Sequence, residues 1–373
     1  MSMAAARRVR ILIAEDVRYT YPTIKLIADE LVRAGTDVDL FSRCGAHREE
    51  TAGEHRFRPT GYVPLWDHHG KWGKIEFLAR GLAQGGRHAA YVGACDLGII
   101  LARLLARRHG SVCAAYVPEL FAVSSRFERW ADACARRADA LIDVDPRRLE
   151  HRRRHGSLPA ATFCIPNVPS LGELGDLPGA TPRSGMPVLW YHGSLSPNHG
   201  IGEILEGYRR CRAEIELHLT GPCAPCYQSE LRSRIARLGK PVLLHEPAPR
   251  RLVLTRARQQ AHVAVCFYPF RQAPHDIGLR FANPAKLFDY MALGIPTIAS
   301  DNPSLVSLVE KQGWGVCVPP EDPAAVAEAI DRLMGDAPLR ARMSIRAREL
   351  FLSEYHLEKA ALPFIGWLRD RLA

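Results

Sequence analysis

Apolar and polar positions alternate along this chain in a repeated couple of one strand and one helix. Val9–Ala14 has the short, mainly apolar character of a strand buried on both faces. Thr23–Ala34 then sets Ile24, Ile27, Leu31 and Val32 on one helical stripe, which Gly35 closes. The couple recurs with strands at Val38–Phe41, Ala89–Val92, Val112–Val117, Ala140–Val144 and Thr162–Ile165. Helices are expected at Ile75–Ala83, Leu97–Arg107, Arg126–Arg137 and Pro146–His155, and Cys44–Gly73 is polar and rich in turn residues. Residues 168–187 hold four Pro and four Gly, the composition of a linker. Beyond it the alternation restarts, with strands at Val188–His192, Ile215–Leu219, Val242–His245, Val263–Phe267, Thr297–Ala299 and Gly315–Val318. Helices at Gly202–Cys211, Gln228–Leu238, Arg250–Gln259, Pro284–Leu293 and Leu305–Lys311 separate them, and helix fills most of the chain from Ala324 on. Such alternation predicts parallel sheets with helices on both faces. Two series around a linker predict an α/β protein of two doubly wound, Rossmann-like domains facing each other across a cleft, over 1–175 and 176–345. A helical segment, 346–373, is expected to pack back on the first domain. Ligands of such sheets bind outside the carboxyl ends of the strands.

Composition changes this picture little. The 373 residues are 47% apolar and 24% charged, which excludes a disordered, collagen-like or coiled-coil chain. The net charge is +10, and only seven of the 50 basic residues are Lys, an Arg bias expected of a GC-rich, bacterial genome. Residues 1–180 and 181–373 each carry +5, so there is no charged tail. A spread positive charge suits anionic ligands or a membrane surface. No compact basic and aromatic module points to nucleic acid. The start of the chain lacks the apolar core of a signal peptide, and no run reaches membrane-spanning length. The ten Cys are scattered in apolar contexts, as reduced thiols are. The expected location is the cytoplasm, including the inner face of the membrane.

The richest chemistry lies in Asn283–Ser300, NPAKLFDYMALGIPTIAS. Pro284 suits the first turn of a helix and Gly294 its C-terminal cap. Lys286 and Asp289 stand at i and i+3 on one face. A cation in the first turn opposes the helix dipole, so it favours an anionic ligand more than stability. Free N–H groups at that terminus suit phosphate, and Asp289 suits ribose hydroxyls. The same spacing also describes a solvated surface Lys–Asp pair.

This segment resembles the signature of retaining glycosyltransferases of the GT-B fold, in the glycosyltransferase family 4 group (glycosyl transferases group 1). The likeness continues through Ser300-Asp-Asn-Pro-Ser-Leu305 and Gly315–Ile330, and Tyr191–Gly200 is similar to the family's Gly-Ser-Leu loop. Pro118-Glu-Leu-Phe121, Glu128-Arg129 and Ile165–Pro169 carry it more loosely into the first half. The resemblance implies transfer of a hexosyl or N-acetylhexosaminyl group, with retention, from a nucleotide-diphosphate sugar to an acceptor hydroxyl. UDP is the expected nucleotide, the pathway glycan or natural-product biosynthesis, and no cofactor or metal is expected. The second domain would hold the donor and the first the acceptor. Carried over by position, Lys286 takes the diphosphate, Asp289 the ribose, and Gly193, Ser194, His199, Leu287 and Asn283 complete the nucleotide site. The family's first acidic position is Phe281 here, so His275, Asp276 and Arg280 become the candidates for the donor sugar. Asp16, after the first strand, and Glu119, after Val112–Val117, would orient the acceptor. Lys286 would stabilise the leaving diphosphate. Glu119 also fits a helix N-cap or first-turn acid.

Tyr62–Lys74 gathers two Trp, two His and two Lys in an expected loop, suited to a sugar ring, a lipid-linked acceptor or a membrane interface. Arg126–His155 is expected to be a solvated, Arg-rich face. Asp37-Val-Asp39 and Asp143-Val-Asp145 have metal-binding spacing, but the two-domain pattern argues for metal-free donor binding. Cys223-Ala-Pro-Cys226 is half a zinc site with no second pair. Two alternatives share parts of this pattern: a nucleotide-sugar 2-epimerase of the same fold, which needs acid–base residues not found here, and a non-catalytic sugar- or lipid-binding protein.

Overall fold

The computed structural model describes residues 8–15, 22–43, 57–66, 70–119, 125–175, 185–272 and 276–373. The chain divides into two compact units, 1–167 with 357–373, and 168–356. The junction at 167/168 lies ahead of the Pro/Gly-rich stretch, and the last helix belongs to the first unit.

Unit 1 runs β1 (Arg8–Ile13), α1 (Pro22–Arg33), β2 (Asp37–Arg43), β3 (Arg58–Tyr62), α2 (Lys71–Ala83), β4 (Ala90–Ala94) and α3 (Cys95–His109). It continues through β5 (Val112–Val117), α4 (Arg126–Arg136), β6 (Ala140–Asp143), α5 (Pro146–Arg154) and β7 (Ala161–Cys164). The seven strands pair in parallel in the order β3-β2-β1-β4-β5-β6-β7. The order reverses between β1 and β4, the switch point at which such sheets bind ligands. Leu12, Phe41, Tyr91, Cys113 and Leu141 of the strands bury against Ile100, Leu101 and Leu105 of α3. The turn-rich stretch before α2 contains β3, which sequence pattern did not predict. The first turn of α2 also takes in Lys71, Trp72 and Lys74, so these are helical and not loop residues.

Unit 2 runs α6 (Leu171–Gly175), β8 (Val188–His192), α7 (Ile201–Arg210), β9 (Glu216–Thr220), α8 (Pro225–Ala236), β10 (Val242–His245), α9 (Arg250–Gln260) and β11 (Ala261–Cys266). There follow α10 (Ile277–Arg280), α11 (Ala285–Leu293), β12 (Thr297–Ser300), α12 (Pro303–Leu305), β13 (Gly315–Val318), α13 (Pro323–Gly335) and α14 (Ala337–Ser353). Its six parallel strands lie in the order β10-β9-β8-β11-β12-β13, with the switch point between β8 and β11. Leu189, Tyr191, Leu217, Leu219, Val263 and Val265 form a core with α7 and α13. Both α/β units are therefore doubly wound, as the alternation predicts. The remaining helix, α15 (Leu357–Leu372), packs Phe364 edge-on and Trp367 at a tilt against Phe163 of β7, their ring centroids 5.6 and 5.7 Å from that of Phe163.

Arginines expected on a solvated face instead close the core of unit 1. Asp143, fully buried, accepts a hydrogen bond from Arg152 Nε at 2.9 Å and forms an ion pair with Arg148, whose Nε lies 2.9 Å from its Oδ1. Arg148 also donates to Pro118 O and Val117 O, fixing the end of β5. Both Asp-x-Asp pairs are consumed in this way. Asp145 caps α5, Asp37 pairs with Arg8 and Arg58, and Asp39 with His88 and Arg58.

Helix α3 seats directly on strand backbone: a Cβ on Gly98 would stand 2.2 Å from Leu12 O. Neither partner atom is a flexible side chain, so Gly98→Ala must push α3 off β1. The expected cost is about 1–3 kcal/mol, read as a lower urea midpoint with an unchanged m-value.

Candidate functional site

The carboxyl ends of β8 and β11 and the N-terminus of α11 bring five of the ten expected donor residues together, Gly193, Ser194, His199, Lys286 and Asp289. Pro284, extended at φ −80° and ψ 139°, is the N-cap rather than the first helical residue, and Gly294 ends α11 in the left-handed conformation. Lys286 and Asp289 are not a solvated pair. Both are buried, and each turns to a partner far away in the chain.

Lys286 Nζ donates to Tyr191 OH at 2.7 Å and lies 4.4 and 5.5 Å from the ring centroids of Tyr191 and Tyr268. No carboxylate pairs with it among the described residues. The nearby Cys266 is no counter-ion, because burial pushes its thiol up to about 12. Burial pulls Lys286 down to about 8, so it is still mostly charged at neutral pH. An ammonium that keeps its charge in an aromatic cradle has spare donors and an unanswered charge.

The β8–α7 loop passes directly over this cation. Gly193 has φ +123°, and a Cβ there would fall 2.9 Å from Lys286 Cε. Gly221, at φ +143°, has no room either: its Cβ would stand 2.0 Å from Gly193 O. The two loops are stitched by Gly193 N to Thr220 O (3.0 Å) and Leu195 N to Pro222 O (2.8 Å). The N–H of Gly193, expected to face phosphate, is thus already spent. Ser194, exposed between those two donors, is the loop residue placed to meet an anion. Tyr191 OH also donates to Ser194 O (2.7 Å).

His199 joins the same cluster. Its Nδ1 is 2.7 Å from Ser196 Oγ and its ring meets Tyr268 edge-on at 5.3 Å. Burial, with Lys286 adding to it, holds its pKa down at about 4. His199 is therefore a neutral hydrogen-bonding group at pH 7 and not a second cation.

Asp289 anchors a separate polar chain. Its Oδ2 and Oδ1 receive Arg250 Nη1 at 2.8 Å and Nη2 at 2.5 Å, and His192 Nε2 lies 3.1 Å from Oδ2. Trp190 Nε1 donates to His192 Nδ1 at 3.2 Å, so the ring proton sits on Nε2, toward the carboxylate. Burial pushes Asp289 up, but Arg250 and His192 outweigh it and the net shift is downward. Neither Arg250 nor His192 was found from sequence, since both meet Asp289 only through the fold.

The other expected residues stand apart from this cluster. Leu287 is fully buried. Asn283 is half-buried just before α11. Asp276 caps the short α10 by accepting Leu279 N, and Arg280 is exposed at its end. His275 and Asp16 lie outside the described residues. In unit 1, Glu119 is exposed after β5 and lies in no helix of the described residues. Glu15, Cys95 and Glu119 follow the ends of the adjacent strands β1, β4 and β5 at the switch point. Cys95 takes φ +60°, a strained value for a non-glycine residue; no sequence signal marked it. Trp66, ahead of α2, and Trp72, in its first turn, are exposed with ring centroids 6.3 Å apart. Among the described residues no helix is long and apolar enough to cross a membrane, and no cluster of three acidic, His or Cys side chains could hold a metal ion.

Comparison with known proteins agrees with this geometry. The family model for glycosyl transferases group 1 matches residues 186–336, inside unit 2. The alpha-D-kanosaminyltransferase of Streptomyces kanamyceticus is 24% identical over 268 residues, 66% of this chain. The match spans 65% of that relative's length. Among solved structures, sucrose-phosphate synthase from Thermosynechococcus elongatus superimposes with a TM-score of 0.76 at 17% identity, covering 98% of each chain. Anabaena HepE, solved with UDP and glucose, gives 0.79 at 13% identity, covering 98% of this chain and 100% of its own. Sheet order and these superpositions agree: the chain has the two-unit, parallel α/β GT-B fold of glycosyltransferases, and its residues 186–336 match the glycosyl transferases group 1 model.

Proposed function

We propose that this protein transfers a sugar from a nucleotide-diphosphate sugar, UDP being the expected nucleotide, to an acceptor hydroxyl with retention at the anomeric carbon. The observation that carries this reading is Lys286: a buried ammonium with no carboxylate beside it, under a glycine loop at a sheet switch point. An anion is what that site lacks. A diphosphate supplies it, and the charge that grows on the departing diphosphate would then meet a preorganised cation. His199 and Ser194 would add neutral hydrogen bonds. Asp276, Arg280 and Asn283, before α11, remain the candidates for the donor sugar, with His275. The UDP in the HepE structure supports the choice of nucleotide. Among the described residues of unit 2, no set of converging acid–base groups such as an epimerase needs stands at this site.

Donor binding in this reading takes its positive charge from the protein rather than a metal. Glu119 and Asp16 of unit 1 would orient the acceptor hydroxyl, and Trp66 and Trp72 offer rings on which a sugar or lipid-linked acceptor can stack. Hexosyl and N-acetylhexosaminyl donors both fit this description. Nine cysteines, all free among the described residues, suit a reducing compartment. We read the reaction as cytoplasmic, with the exposed Trp pair as the point of contact where the acceptor is held at a membrane.

A thermal-shift panel of UDP, GDP, TDP and ADP tests the donor reading. One nucleotide, at about 100 times its Kd, should stabilise the wild type by roughly 2.7 kcal/mol. Lys286→Ala should lose that shift. No shift from any nucleotide, with the protein folded, would leave the non-catalytic binding protein as the better account.

Lys286→Met separates function from stability. Methionine fits an aromatic cradle and carries no charge to desolvate. At pH 7 and without ligand this variant should be more stable than the wild type by about 1–3 kcal/mol, while binding no nucleotide. The sign follows from the lowered pKa. Between about 8 and the ordinary lysine value of 10.5 the unfolded chain holds a proton that the folded chain has released, so wild-type stability rises with pH there. The advantage of Lys286→Met should therefore shrink over that window in urea titrations.

A further inference from the structure

The loop over Lys286 leans on the segment that follows β9. Gly193 N donates to Thr220 O, Leu195 N donates to Pro222 O, and Leu195 and Cys223 pair as an isolated parallel bridge. Two cysteines end that segment. Cys223 is half-buried and packs against the core of unit 2. Cys226, three residues on and in the first turn of α8, is the only exposed thiol among the described residues. The two side chains stand close enough to interact: burial first, and then Cys226, push the Cys223 thiol up. Ala224 between them is the N-cap of α8 and extended, at φ −62° and ψ 137°. A disulfide needs Cα atoms within about 7 Å, and an extended residue lengthens the span from 223 to 226. Closing a bridge therefore turns Ala224 toward helical geometry and draws Cys223 away from Leu195.

We propose that Cys223 and Cys226 form a reversible thiol–disulfide site that loosens the donor loop when oxidised; its effect on nucleotide rests on the donor reading above. The oxidant is a small disulfide such as oxidised glutathione. The Cys226 thiolate attacks one sulfur of that disulfide, its S–S bond breaks, and one glutathione thiolate leaves. Cys223, deprotonated, then attacks Cys226 Sγ in the mixed disulfide and expels the second glutathione thiolate. The two protons given up by the cysteines pass through solvent to the departing thiolates. The protein loses two electrons and glutathione disulfide gains them. With Cys223 drawn away, the bond from Leu195 N to Pro222 O is lost and the loop no longer fixes Ser194 beside the cation. Strain makes such a bridge easy to reduce, and a bridge of that kind in a reducing compartment acts as a sensor rather than a staple.

The test is calorimetric titration of the full chain with UDP when reduced with dithiothreitol, when oxidised with glutathione disulfide, and when reduced again. Peptide mapping of the oxidised chain should find Cys223 joined to Cys226. UDP affinity should fall by about tenfold on oxidation, near the upper worth of one hydrogen bond, and should return on reduction. Cys226→Ser keeps the backbone bonds of the loop, so it should bind UDP as the reduced wild type does, with or without the oxidant. The absence of a Cys223–Cys226 bridge in the oxidised chain would overturn the proposal. So would a bridge that leaves UDP affinity unchanged, or an oxidative loss that persists in Cys226→Ser. Each of those results leaves the donor site standing. A reduced wild type that binds no UDP would overturn the UDP reading and this proposal together.

Discussion

A single uncompensated charge organises unit 2. The ammonium of Lys286 sits among aromatic rings, with one phenol as its hydrogen-bond acceptor. Burying such a group costs stability, and nothing in the surrounding fold returns that cost. The loops are built around it all the same. Gly193 is a glycine because Lys286 leaves no space for a Cβ, and Gly221 is one because Gly193 leaves none. Tyr191 holds the cation on one side and the loop carbonyl of Ser194 on the other.

The contrast with the other buried charges makes the point sharper. Asp143 is answered by two arginines, Asp39 by His88 and Arg58, and Asp289 by Arg250 and His192. Each of those carboxylates is closed within the fold, as buried charges ordinarily are. Lys286 is left open at the end of a sheet where ligands approach. Its neighbour His199, held neutral by burial, contributes direction without adding repulsion.

Much of this was legible in the sequence, and the gaps have physical causes. Val188–His192 was found at its observed bounds because a central parallel strand is apolar on both faces. β3 was missed because Arg-Pro-Thr-Gly-Tyr carries no apolar run. It is an edge strand, defined by its pairing with β2, and it tolerates a proline for that reason. Lys286 and Asp289 stood out by their place on a helix, but spacing on one helix says nothing of partners. Tyr191 lies 95 residues from Lys286, and Arg250 lies 39 from Asp289. Arg148 and Arg152 looked like surface charge because their carboxylate, Asp143, belongs to another element. Cys95 carried no local signal, since its left-handed backbone comes from the abrupt turn between β4 and α3.

The assignment of α15 to unit 1 bears on how the chain is made. Phe163, on β7, meets its partners Phe364 and Trp367 in a helix that follows the whole of unit 2. During synthesis at about 5–20 residues per second, residues 168–356 take on the order of 10–40 s to emerge. For that interval the β7 flank of unit 1 stands without its cover, while unit 2 has everything it needs to fold. Unit 2 is thus made between the two parts of unit 1, and an aromatic strand flank stays uncovered until residues 357–373 have followed.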